Sequence, residues 1–388
     1  MRKFIAHPFS LVLIIMVSFA FAFSNAPVQL FSKLTVKEKA HKQKNIKLAL
    51  LLDTSNSMDG LIEQAKSQLW NITKELSMMR YDKDKMPELQ IALYEYGNDG
   101  LSGRNNFIRK VVPFTTDMDL ISEKLFALRT NGGSEYCGAV INDALKQLDW
   151  GNRNDDLKMI YIAGNEPFTQ GPIHYKEICR DAHSRDIVVN TIFCGDYREG
   201  VKTEWKAGAD MAHGSYFNID KDCKTVYIPS PYDDRIEELN YRLNDTYIPY
   251  GTHGKKYKEN QVMQDANASS YSQSNAADRA AFKCSGMYKA ESWDLIDAYE
   301  ADEEILKDKS KLPKKLQNMS EEEVITFVKE TTKERFTIQK EVIELEKKRR
   351  AYVDQQQKNT NETDDLQKSI LSTIRKQATE KGLKLDGC

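Results

Sequence analysis

The residues best suited to chemistry in this chain lie in Asp53-Thr54-Ser55-Asn56-Ser57, a D-x-S-x-S pattern that offers one carboxylate and two hydroxyls. These are hard oxygen donors of the kind Mg²⁺ takes, since that ion keeps several waters and uses few protein carboxylates; Mn²⁺ and Ca²⁺ share the preference for oxygen. By itself the pattern also fits an ordinary strand-to-helix turn in which a serine caps the next helix. Two later segments add donors. Asn131-Gly132-Gly133-Ser134 carries a hydroxyl just after a glycine turn, and Ala163-Gly164-Asn165-Glu166-Pro167 carries an amide and a carboxylate.

Position decides between the two readings, and position follows from hydrophobic patterning. Ile46 to Leu52 is a near-continuous apolar run, the mark of a strand buried on both faces, and it ends at Asp53. Ile62, Ala65, Leu69, Ile72 and Leu76 recur at helical spacing. Leu89 to Tyr94 is a second strand and Phe107 to Phe114 a third. The link between them, Gly97 to Gly103, is too short for a helical crossover, so this pair is antiparallel. Asp117 is placed to cap a helix carrying Leu120, Ile121, Leu125 and Leu128, and another helix runs from about Tyr136 to Leu148. Met159 to Ala163 and Ile187 to Phe193 read as interior parallel strands, with a helix around Tyr175 to Ser184 between them. A short helix near Trp205 to Ala212 and a strand at Ser215 to Ile219 finish the unit. The expected fold is α/β: a doubly wound, mostly parallel sheet with one antiparallel strand. Ligands of such sheets collect at the carboxyl ends of the strands, where the segments at Asp53 and Gly164 both fall.

In this order the segments resemble the von Willebrand factor A (vWA) family over roughly residues 44–230. The family's metal-ion-dependent adhesion site has D-x-S-x-S after the first strand, a Thr after a glycine-rich turn, and T-D-G after the fourth strand. Asp53, Ser55 and Ser57 match the first element, and Ser134 replaces the Thr with the same hydroxyl function. The third element departs: Gly164 holds the Asp position and brings no side-chain oxygen, which leaves Asn165 or Glu166 to reach in. The resemblance implies a degenerate site that takes Mg²⁺, Mn²⁺ or Ca²⁺ and engages a protein partner, whose acidic side chain completes the metal's coordination. The alternative is a metal-free vWA scaffold whose C-terminal helices mediate assembly. The segments Gln261 to Ala268 and Trp293-Asp294-Leu295 resemble the region that follows the vWA domain in exported bacterial proteins of unassigned role.

An enzyme is not expected. No G-x-S-x-G, HExxH or GxxxxGK[ST] occurs, and the histidines at 174, 183, 213 and 253 stand singly. Glu135 beside Ser134 reads as an exposed residue at a helix start, favoured there by the helix dipole. A net charge of −2 gives no field that would attract nucleic acid. Arg2 and Lys3 precede an apolar run from Phe9 to Phe23, and Ala20-Phe21-Ala22 has signal-peptidase spacing. Residues 1–22 therefore read as a cleaved signal peptide and the chain as periplasmic or secreted, with membrane contact only if that segment stays as an anchor. Export makes disulfides plausible among Cys137, Cys179, Cys194, Cys223, Cys284 and Cys388. Cys137 opens the helix after the glycine turn and Cys194 ends a strand, so they form the candidate bridge, with two buried free thiols as the competing account.

Beyond the sheet, residues 231–275 lose periodicity and read as a connector, and 276–388 as a separate helical region. Sixteen of the thirty residues from Glu321 to Arg350 are charged, eight of each sign, which argues against a basic nucleic-acid arm. Val324, Val328, Ile338, Val342, Leu345 and Tyr352 trace a rough heptad seam interrupted by Thr331, Arg335 and Arg349. A helical hairpin turning at Asn359 to Asp365 is the simpler expectation, with the arginine heads in water, and a coiled-coil dimer is the competitor. Residues 40–230 are expected to fold alone.

Overall fold

β1 (Asn45–Asp53) is apolar at nearly every position because both its faces are covered. Leu48, Leu50 and Leu52 enter one core and Ala49 and Leu51 the other. The computed structural model describes residues 43–82, 84–219, 228–359 and 365–385. After β1 come α1 (Ile62–Ser77), β2 (Met79–Arg80), β3 (Glu88–Tyr96), β4 (Ile108–Thr115), α2 (Met118–Ala127) and α3 (Cys137–Gln147). They are followed by β5 (Leu157–Gly164), α4 (Tyr175–Ser184), β6 (Val188–Cys194), α5 (Tyr197–Lys202), α6 (Trp205–Met211) and β7 (Tyr216–Ile219). The main sheet has the order β4-β3-β1-β5-β6-β7. Every neighbouring pair is parallel except β3 and β4. The short link expected to reverse the chain does so.

Two cores sandwich this sheet. On one face α3, α4 and Trp205 of α6 pack on Ala49, Leu51, Ile160, Ile162 and Val189. On the other lie α1 and α2, and with them a second set of helices that the sequence placed elsewhere. The set comprises α7 (Asp233–Asp245), α8 (Gly254–Tyr271), α9 (Gln273–Lys283), α10 (Leu295–Ala301), α11 (Lys314–Gln317), α12 (Glu321–Asn359) and α13 (Asp365–Glu380), before a two-residue β8 (Lys384–Leu385) that pairs with β2. Of these α7, α9, α12 and α13 reach the sheet's core, while α10 and α11 pack with Val324 and Val328 of α12 in a third cluster.

Three expectations are corrected here. The span 231–275 is no connector: α7 and α8 occupy most of it. Its periodicity was hidden because part of the buried surface is polar. Asp265 on α8 accepts from Asn240 (3.1 Å) and Asn244 (2.8 Å) of α7, and pairs with Lys283 (2.7 Å) and Arg279 (3.0 Å) of α9. Burial would raise that carboxyl, but Lys283 and Arg279 hold it well below the usual carboxylate range.

Nor is 276–388 a region apart. Ile236, Leu239, Phe282, Ile338, Val342, Ile370 and Ile374 share one cluster with Leu50, Met159, Tyr161 and Ile192 of the sheet. Residues 43–388 accordingly form one compact unit. Gln377 of α13 and Asn190 of β6 exchange amide hydrogen bonds of 2.9 and 3.2 Å in the buried interface.

The third correction concerns the arginines. Arg335 and Arg349 are each 5% exposed rather than reaching water. Arg349 pairs with Asp233 (2.8 Å) and Asp278 (3.1 Å), and Arg335 with Asp294 (2.8 Å) and Asp297 (2.5 Å). They interrupt the seam because their partners sit across it. The seam is satisfied within the chain: α12 lies against α7, α9 and α10, while α13 lies against α1 and β7. The expected signal peptide at 1–22 and the core of the turn at 360–364 fall outside the described residues. Among those described, no helix is long and apolar enough to cross a membrane.

Candidate functional site

The carboxyl ends of β1, β3 and β5 meet the turn before α3, and that junction gathers the oxygen donors. Asp53, the last residue of β1, is wholly buried. Its Oδ1 accepts the Ser55 N–H at 2.8 Å, whereas its Oδ2 is buried with no hydrogen-bond partner. The Ser55 and Ser57 hydroxyls lie 2.7 Å apart. The Ser57 hydroxyl donates to Asn165 Oδ1 at 3.0 Å, and Asn165 Nδ2 donates back to the Ser57 carbonyl at 3.2 Å. Neither serine caps a helix: the 3-10 turn Asn56–Met58 and α1 both begin without a side-chain cap. The hydroxyls thus face the junction, and the ordinary capping account does not describe them.

Backbone bonds draw the other loops in. The Asn131 N–H donates to the Thr54 carbonyl at 2.9 Å, and the Asp99 N–H donates to the Gly132 carbonyl. Glycine is required where these loops touch. A Cβ at Gly133 would sit 2.0 Å from the Gly97 carbonyl oxygen. A Cβ at Gly97, whose φ is +78°, would meet Asp53 Oδ1 at 2.7 Å and Glu135 Cγ at 2.8 Å.

Two residues of this junction were missed or misread in the sequence. Ser134 is half-buried, and the side chain its loop turns toward Asp53 is the neighbouring Glu135. Glu135 is 5% exposed, not a solvated helix-start residue, and the Ser55 hydroxyl favours its charged form. An acidic residue directly after the glycine turn was the available signal. The other is Tyr96, the end of β3. Its hydroxyl donates to the Ala163 carbonyl at 3.1 Å and would lie 2.5 Å from a Cβ at position 164. Tyr96 therefore fills the space an aspartate side chain would need, and Gly164 is the residue that fits beside it. Glu166 is half-buried nearby, its carbonyl accepting from Trp205 Nε1 at 2.8 Å.

Burial pushes the Asp53 carboxyl up to about 7; the Ser55 hydrogen bonds oppose this, and the Glu135 and Glu166 carboxylates add to it. Burial, and then Glu166, also raises Glu135. The sign for stability follows directly. The folded-state pKa of Asp53 lies above its unfolded value of 3.8, so its contribution is full below about pH 4 and is lost as pH rises through about 7. Without added cations, the wild type is expected to lose stability relative to Asp53→Asn across that window, by at most about 4 kcal/mol. Melting curves at a series of pH values check this. Parallel curves for the two proteins would show that Asp53 does not titrate there.

Cys137 and Cys194 do not form the expected bridge. Both are buried free thiols, as are Cys179 and Cys284. The two belong to cores on opposite faces of the sheet, so their sulfurs are not brought together. Cys137 instead contacts the Tyr96 hydroxyl at 3.7 Å. Cys223 and Cys388 lie outside the described residues.

Among the described residues no group of three or more His, Cys, Asp and Glu is arranged to hold a metal ion. What converges is a carboxylate, two hydroxyls and an amide, a donor set that suits a hard cation keeping several waters. The orphaned Asp53 Oδ2 fits that role, since a buried carboxylate oxygen with no donor is otherwise costly.

No protein-family model and no curated protein matches the chain. Parts of solved structures are similar to it. The conserved hypothetical protein BatB from Bacteroides thetaiotaomicron is 16% identical, over 45% of this chain and 91% of that one, with a TM-score of 0.34. The VWA domain of SpRpn10 is 11% identical, over 50% and 95%, with a TM-score of 0.35. Proximal thread matrix protein 1 from the mussel byssus, solved with a zinc-occupied MIDAS motif, is 13% identical, over 46% and 43%, with a TM-score of 0.35. The sheet order, the single antiparallel strand and the helices on both faces make this a doubly wound, mostly parallel α/β fold whose C-terminal helices pack into its core.

Proposed function

We propose that this protein is an exported, non-enzymatic binding protein, periplasmic or secreted, whose degenerate metal-ion-dependent adhesion site engages a protein partner. The observation that carries the reading is Asp53 Oδ2, buried and unpartnered at the carboxyl end of the sheet beside two hydroxyls that cap nothing. Asp53, Ser55 and Ser57 would hold the cation, with Asn165 positioning Ser57. A bound Mg²⁺ would supply a positive centre to which an acidic side chain of the partner can attach.

Calorimetry on the full chain tests this. Mg²⁺ or Mn²⁺ should bind the wild type, and Asp53→Ala should reduce that binding at least tenfold or abolish it. Partner crosslinks in the native envelope should then disappear with chelator. Unchanged cation binding in Asp53→Ala would place the metal elsewhere. No cation binding by the wild type would favour the second reading, a metal-free scaffold, which the Ser57–Asn165 hydrogen bonds and the absent carboxylate at Gly164 support. In that case assembly through the C-terminal helices would need a surface other than their seam, which is internal.

A further inference from the structure

The junction lacks one carboxylate at position 164 and contains another that the sequence pattern did not assign. We infer that Glu135 is the second acidic ligand of this site, supplied from the turn before α3 in place of the aspartate that Tyr96 excludes. The inference rests on the reading of the junction as a cation site and goes beyond it by naming a ligand.

Four observations carry it. The position after β5 cannot regain a carboxylate, because a Cβ at Gly164 would lie 2.5 Å from the Tyr96 hydroxyl and 3.1 Å from Asp53 Oδ2. Glu135 is drawn in from a different direction: its Cγ and Asp53 Oδ1 press on the same point of Gly97, 2.8 and 2.7 Å from where a side chain there would begin. Glu135 is 5% exposed, and the charged side chains that act on it, Glu166 and Asp99, are both acidic. Asp53 Oδ2, wholly buried and unpartnered, provides an acceptor in the same junction.

Two carboxylates held together away from water repel, and a buried charge without a partner is costly. A divalent cation relieves both terms at once, because Asp53 and Glu135 together balance its charge. Glu166, half-buried and farther along the loop after β5, adds negative potential without being needed as a ligand. The hydroxyls of Ser55 and Ser57 would bring neutral oxygens to the same ion, and water would occupy the remaining positions. In this arrangement Ser134 shapes the turn and Glu135 does the ligation, the reverse of the assignment that the family pattern implies.

The test is cation binding by the full chain, read by calorimetry with Mn²⁺ and Mg²⁺, for wild type, Glu135→Gln and Ser134→Ala. Glu135→Gln keeps the side-chain size, and it should weaken binding by about thirtyfold or more. Its melting temperature without cation should be no lower than that of the wild type, because the change removes repulsion. Ser134→Ala should weaken binding much less than Glu135→Gln. A second measurement needs no variant: difference infrared spectra of the wild type on adding Mg²⁺ should show two carboxylates changing coordination. The inference is overturned if Glu135→Gln binds within threefold of wild type while Ser134→Ala loses the ion, or if only one carboxylate responds; the metal-site reading would survive either result. Failure of the wild type to bind any divalent cation would overturn both.

Discussion

A chain ended after residue 230 is expected to be insoluble, or soluble only as a collapsed state that binds hydrophobic dye and melts without a sharp transition. The reason is the face of the sheet that α7, α9, α12 and α13 cover together with α1 and α2. Leu239, Leu243, Phe282, Ile338, Val342, Ile370 and Ile374 belong to the cluster that holds Met159, Tyr161, Ile192 and Phe217. Burying one large apolar side chain contributes about 1.5–3 kcal/mol. Removing seven such partners therefore removes more than the roughly 5–15 kcal/mol by which a domain is ordinarily stable. The expectation that residues 40–230 fold alone is thus reversed. The check is the far- and near-ultraviolet circular dichroism of the truncated chain alongside the full one. A soluble fragment with a cooperative melt and native near-ultraviolet signal would show that the late helices are additions rather than half of the core.

Replacing Arg335 with Ala is expected to cost about 3–5 kcal/mol, the usual loss when one side of a buried ion pair is removed. Its guanidinium donates to Asp294 (2.8 Å), Asp297 (2.5 Å), the Thr246 hydroxyl (3.1 Å) and the Thr246 carbonyl, and it lies 4.1 Å from the centre of the Tyr247 ring. Burial and the neighbouring Asp294 push the Asp297 carboxyl up to about 7, with Arg335 opposing them. Without the arginine, two buried carboxyls would face each other unbalanced. The deficit should therefore widen as pH rises above about 7, because the wild type can ionise Asp297 there while the variant's folded state still resists it. Urea unfolding should show a lower midpoint with an unchanged slope. Arg335→Lys should recover only part of the loss, since a point charge cannot reproduce the planar fork. A cost under about 1 kcal/mol would mean that α12 is held onto α10 by its apolar contacts alone.

These two results concern the part of the molecule that sequence reading described least well, and the reason lies in particular residues. The strands ending at Asp53 and Gly164 are recognisable because a strand covered on both faces is apolar along its whole length, whatever covers it. The reversal between β3 and β4 is recognisable because the link from Gly97 to Phe107 is too short for a crossover helix. α8 is not recognisable in the same way: it buries Gln261, Gln264 and Asp265, so its inner face carries no hydrophobic period. Arg335 and Arg349 look like flaws in a seam until Asp294, Asp297, Asp233 and Asp278 are seen opposite them.

The candidate site divides along the same line. Asp53, Ser55 and Ser57 are close in the chain, so their placement at a strand end is a local property that spacing expresses. Tyr96 and Gly164 end two different strands and Glu135 lies in the turn before α3, and they are gathered only because β1, β3 and β5 end side by side. The same holds for the thiols: Cys137 opens α3 and Cys194 ends β6, and the sheet passes between the cores they enter. Local periodicity states which residues are buried and in what element. Which buried residues face one another is set by the long-range packing of the sheet and its helices, and spacing along the chain does not encode it.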